Sequence, residues 1–98
     1  NKKPTVLICG MLKTKDVAGY LSPFSNLVEF LAAVSIPNEK NTLSAGETAK
    51  HANDLGIKSK SFRSISEGIQ FVANQFPNCQ VLICGSLYLA GHILSENQ

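Results

Sequence analysis

The stretch VLICGMLKTKD, residues 6–16, is an apolar run closed by a glycine and followed by a polar turn holding two lysines and an aspartate. An unbroken run of aliphatic and β-branched residues suits a strand buried on both faces, as in parallel sheets with helices on each side. Gly10 ends the run. Asp16 then opens an amphipathic stretch, where an aspartate can cap the first free N–H groups of a helix. Residues 10–15 therefore read as a βα loop that brings Lys15 to a helix N-terminus, a place that favours anions. The run recurs near the other end: residues 81–85 are again VLICG, followed by Ser86 and another apolar stretch. Two like strands feed two like turns.

Working outward, residues 5–9 form the first strand, and the helix after its loop is predicted over 16–24. Ala18, Leu21 and Phe24 share one side of it, Gly19 weakens it and Pro23 ends or kinks it. A second strand lies within 27–36, with Phe30, Ala32 and Val34 alternating against Leu31, Ala33 and Ser35, and Pro37 stops it. A polar loop then leads to Ser44 and Glu47, spaced as a capping box in which each side chain satisfies the other residue's free N–H. That helix runs to about Leu55, where Gly56 supplies a stop. Residues 57–62 are a weaker third strand, polar enough for a sheet edge. Ser64 and Glu67 form a second capping box, opening a helix that carries Ile69, Phe71, Val72 and Phe76. The repeated strand follows, and a last helix is predicted over 87–95.

Four βα units joined by right-handed crossovers give an α/β fold: a Rossmann-like, three-layer α/β/α open sheet, mainly parallel, with strand order 3-2-1-4. In that order the chain reverses direction between strands one and four, and such a switch point opens a crevice at the carboxyl ends of the strands. The two VLICG turns should meet there.

At 98 residues and 44% hydrophobic content the chain is one domain at most, with a modest core that suits a fragment as well as a whole protein. A formal net charge of +2 is too mild and too scattered to argue for nucleic acid. No run of about 18 apolar residues marks a membrane span, and no signal sequence is evident, so neither nucleic acid nor membrane is an expected partner. Three cysteines without a CxxC pair give no support to zinc or dithiol redox chemistry. Cys9 and Cys84 sit in apolar strands as small hydrophobes, so all three thiols are expected reduced and structural, in the cytoplasm.

The turns carry whatever chemistry there is. GMLKTK lacks the second and third glycines of GxGxxG, and GxxxxGK[ST] is absent, so a complete ATP or NAD site within these residues is not expected. Lys15 is either an anion ligand or a solvated loop lysine; its position before a helix start at a switch point separates it from Lys58 and Lys60. Asp16 reads first as an N-cap. Ser86 can cap the last helix while its backbone, with that of Gly85, faces the crevice; GSL is no nucleophile elbow and no base stands beside it. His51, His92 and Tyr88 read as ordinary surface or packing residues.

The segments VLICGMLKTKDVAGYL and VLICGSLYLAGHIL, with the SAGE helix between them, resemble the C-terminal domain of the bifunctional folylpolyglutamate synthase and dihydrofolate synthase family, within the Mur ligase superfamily. The GMLxxKD and CGSLYLAG turns are its most specific parts. The family commonly has Asp before the lysine; Thr14 stands here, which removes a charge role at that position. The resemblance implies an ATP-dependent ligase that joins L-glutamate to dihydropteroate or to a folate glutamate tail through an acyl phosphate. ATP and Mg2+ would belong to the N-terminal ATPase domain, which with the domain's first strand and helix is expected to lie outside residues 1–98. These residues alone would bind neither and be inactive. The superfamily pattern assigns the incoming glutamate to the C-terminal domain, at positions matching Lys15 and Ser86, with Asp16 and Gly85 beside them. The alternatives are a C-terminal domain of another Mur-type amino-acid ligase and a stand-alone Rossmann-like anion-binding module.

Overall fold

The chain was analysed as a computed structural model that describes residues 3–85. In chain order these residues form β1 (Thr5–Gly10), α1 (Val17–Leu21) continued by a 3-10 turn (Ser22–Phe24), β2 (Phe30–Ala33), α2 (Ala45–Asp54), β3 (Ser59–Ser61), α3 (Ile65–Gln75) and β4 (Gln80–Gly85). The strands make one sheet in the order β3-β2-β1-β4, every neighbouring pair parallel. This is the expected topology. The fourth helix, at 87–95, lies outside the described residues.

The alternation within β1 and β2 sets the three layers. Val6, Ile8, Phe30, Ala32 and Val34 face one side and join Ile65 and Val72 of α3. Leu7, Cys9, Leu31 and Ala33 face the other and join Val17 and Leu21 of α1 with Ala49 and Ala52 of α2. Placing α1 and α2 on one face and α3 on the other is what right-handed crossovers dictate when the chain steps from β1 to β2 to β3 and then jumps back to β4. On the α3 side, Phe71 packs against Phe30 and Phe62 with ring centroids 5.3 and 5.1 Å apart, in the tilted geometry that aromatic pairs favour.

Three local expectations change. The first helix is only five residues long before it tightens into the 3-10 turn, because Pro23 cannot continue the α-ladder. Its buried face is Val17 and Leu21, not Ala18, which is exposed. At α2 the capping box forms in both directions. At α3 it forms in one: Ser64 Oγ accepts from the Glu67 N–H at 3.0 Å, but Glu67 Oε1 accepts from the N–H of Arg63, also at 3.0 Å. Beyond α2, Gly56 adopts φ +85°, the left-handed stop the sequence indicates.

Candidate functional site

The paired carboxyl ends of β1 and β4 build the candidate site. Register runs Val6 to Val81, Leu7 to Leu82, Ile8 to Ile83, Cys9 to Cys84 and Gly10 to Gly85, so the two VLICG segments lie side by side, residue for residue. Gly85 has φ +110°, and a Cβ added there would overlap the Gly10 carbonyl. Two glycines in register let the backbones touch at the switch point, where a side chain would fill the crevice.

After β1 the chain does not remain a free loop. Leu12 bridges Thr42 in antiparallel fashion, the Lys13 N–H donates to the Asn41 carbonyl at 2.8 Å, and the Leu43 N–H donates to the Met11 carbonyl at 2.8 Å. Thr42 is fixed in turn: its hydroxyl accepts from the Ile36 N–H at 2.7 Å and donates to the Leu43 carbonyl at 2.9 Å. The polar loop at residues 37–43 thus forms one lip of the crevice and holds the turn carrying Lys15. The Lys15 N–H closes that turn on the Leu12 carbonyl at 3.1 Å.

Lys15 and Gly85 line one small cavity of about 100 Å³ with Met11, Leu12 and Tyr20. That is room for roughly three waters at liquid density. Among the described residues of this lining, Lys15 carries the only formal charge. Among the described residues the one salt bridge is the exposed Lys50–Asp54 pair, so the Lys15 ammonium is not spent on a carboxylate there. Asp16, by contrast, is occupied. Its Oδ1 accepts from the Gly19 N–H at 3.1 Å as the N-cap of α1. A capped helix of five residues has little dipole to offer, so this terminus is a weaker anion site than the one the sequence suggested.

Tyr20 completes the site, and sequence reasoning missed it. Its hydroxyl accepts from the Gly85 N–H at 3.3 Å, so that N–H already has a partner. Burial raises the Tyr20 pKa, opposed by the bond from Gly85. Its signal was the one large amphipathic side chain in VAGYL, on the helix that follows the switch-point turn. Ser86, Tyr88 and His92 lie outside the described residues; His51 is exposed on α2. A larger groove of about 510 Å³ runs past Lys3, Thr5, Asn26 and Glu29. It lies at the amino ends of the strands, the edge opposite the one that open α/β sheets use for ligands.

Solved structures share this fold. FolC from E. coli, in complex with DHPP and ADP, superposes with a TM-score of 0.83 at 21% identity, over 99% of this chain and 22% of its own. Folylpolyglutamate synthase from Mycobacterium tuberculosis, complexed with ADP and AMPPCP, gives 0.86 at 17% identity over 98% of this chain and 24% of its own. The chain carries the fold of one part of a folylpolyglutamate synthase. A bifunctional folylpolyglutamate synthase/dihydrofolate synthase with Mn, AMPPNP and L-glutamate bound gives 0.77 at 20% identity over 97% of this chain. The chain therefore spans less than a quarter of the length of the structures it matches. No family model and no curated protein matches the sequence.

Proposed function

We propose that the chain is the C-terminal, amino-acid-binding domain of a Mur-type folate ligase. Such an enzyme adds L-glutamate to dihydropteroate or to a tetrahydrofolate polyglutamate at the expense of ATP. The observation that carries the proposal is the in-register pairing of the two VLICG strands up to Gly10 and Gly85 at the switch point, with Lys15 and Gly85 lining one cavity there. The fold likeness to folylpolyglutamate synthases over 97–99% of the chain supports the class.

In this reading Lys15 supplies a charge-assisted hydrogen bond to a glutamate carboxylate. Gly10 and Gly85 keep the floor open, and Ser86, next in sequence and outside the described residues, is the second residue assigned to the glutamate. Asp16 acts through position: by capping α1 it fixes the turn that aims Lys15. The glutamate amine would attack a pterin-linked acyl phosphate, forming the amide and releasing phosphate. Among the described residues there is no phosphate loop and no group of three His, Cys, Asp or Glu that could hold a metal ion. By the family resemblance, ATP and Mg2+ are assigned to the N-terminal domain of the full-length enzyme.

The full-length enzyme, supplied with ATP, Mg2+, L-glutamate and either pterin substrate, should release ADP and phosphate in step with a glutamylated product. ATP turnover with no glutamate in the product would refute the reading. Micromolar nucleotide binding by residues 1–98 alone would instead favour a stand-alone anion-binding module.

A further inference from the structure

Cys9 and Cys84 face each other across β1 and β4, one residue before the paired glycines. Both belong to the layer under α1, where Cys9 is fully buried and Cys84 partly so. Neighbouring strands run about 4.8 Å apart, inside the Cα separation of about 4.4–6.8 Å that a disulfide requires. Cys79 packs on the opposite, α3 side of the sheet, out of reach of either thiol. The Tyr20 hydroxyl accepts from the N–H of Gly85, the residue after Cys84.

From this placement we infer that Cys84 and Cys9 are a peroxide-responsive thiol pair that closes to a disulfide across β1 and β4, directly beneath the Lys15 cavity. Cys84 is the attacking sulfur, being the more accessible of the two. The neighbouring Cys9 thiol and, less, the Tyr20 hydroxyl lower its pKa in spite of burial. Cys9 is pushed far the other way, first by the neighbouring Cys84 and then by burial, and so keeps its proton.

The steps balance with hydrogen peroxide as oxidant. The Cys84 thiolate attacks one peroxide oxygen; the O–O bond breaks, two electrons pass from sulfur to peroxide, and a sulfenic acid and hydroxide result. The Cys9 sulfur then attacks the sulfenic sulfur. The S–S bond forms as S–O breaks, and the leaving hydroxide takes the Cys9 proton as water. A dithiol reductant reverses the closure. Oxidation draws the Cys84 sulfur toward β1 and away from Tyr20, a wall of the cavity, so it should act on the site whichever anion the site takes.

The test treats the folded 98-residue chain with hydrogen peroxide and follows free thiols, intact mass and linked peptides. Two of the three thiols should disappear, with a mass lower by two hydrogens, no added oxygen, and one peptide pair joining Cys9 to Cys84. Dithiothreitol should restore all three. Cys79→Ser should behave like the parent, whereas Cys9→Ser should halt at a Cys84 sulfenic acid that dimedone traps. Linkage through Cys79, three surviving thiols at a dose that oxidises an unfolded control, or a Cys84 sulfenic acid accumulating in the parent without linkage would each overturn the inference. None of these readouts depends on ligase activity.

Discussion

Replacing Gly85 by alanine tests the core of the candidate site, because two separate costs fall on one methyl group. At φ +110° an L side chain pays at least the left-handed penalty, about 1–2 kcal/mol. The same Cβ overlaps the Gly10 carbonyl, a backbone atom that cannot rotate aside, and relieving such overpacking costs about 1–3 kcal/mol more. Together, Gly85→Ala should lose about 2–5 kcal/mol, against a total near 5–15 kcal/mol for a domain of this length. The midpoint of thermal unfolding should fall by roughly 10–30 °C. Gly46→Ala is the matched control: no atom lies within 4 Å of its would-be Cβ, and its place in α2 favours alanine, so a gain below about 1 kcal/mol is expected. Urea and thermal unfolding of the three chains, by far-UV circular dichroism, read both effects. A Gly85→Ala chain within about 0.5 kcal/mol of the parent would show that β1 and β4 do not touch backbone to backbone at the switch point, and the site built on that contact would fall.

Three further outcomes follow. In the full-length enzyme Lys15→Met should raise the KM for L-glutamate by about one to two orders of magnitude, the worth of a charge-assisted hydrogen bond of roughly 1.5–3 kcal/mol, with the KM for ATP nearly unchanged in steady-state assays. Thr48 is fully buried in α2 and its hydroxyl has no hydrogen-bond partner among the described residues, so Thr48→Val should stabilise by about 1 kcal/mol in urea titration; destabilisation would mean the hydroxyl is satisfied. Ser44→Ala removes the acceptor for the Glu47 N–H and one half of the α2 capping box, and should cost about 1 kcal/mol by the same titration.

The strand order was legible because each part of it follows from a short-range pattern. Runs buried on both faces mark β1 and β2, helices between strands force parallel pairing, and right-handed crossovers give the order 3-2-1-4, which brings the second VLICG beside the first. The Ser44 cap was equally local. What could not be read depends on distant residues or on competing donors. Met11–Lys13 pairs with a loop thirty residues away, a contact that leaves no period in the sequence. Glu67 had two N–H groups in reach and took that of Arg63, which spacing alone does not decide. Asp16 was legible as a cap, yet the shortness of α1, and with it the weakness of that helix terminus as an anion site, emerged only where Pro23 tightened the next turn.

The repeat itself explains why the cavity has the walls it has. Parallel strands in register place like on like, so identical segments stack Val on Val, Leu on Leu and Ile on Ile without a mismatch in size, and the last pair is glycine on glycine. That final pair takes side chains out of the floor of the crevice and leaves its chemistry to groups arriving from elsewhere: the Lys15 ammonium from the turn and the Tyr20 hydroxyl from α1. Only the first of these carries charge. An anionic ligand held here must therefore lose most of its affinity with Lys15, whereas Tyr20→Phe should chiefly release the Gly85 N–H. A ligand contact made by that freed N–H could compensate, so the two substitutions should differ in sign or size on glutamate use. Equal losses would mean that the pair acts on the shape of the crevice and not on the charge of its occupant.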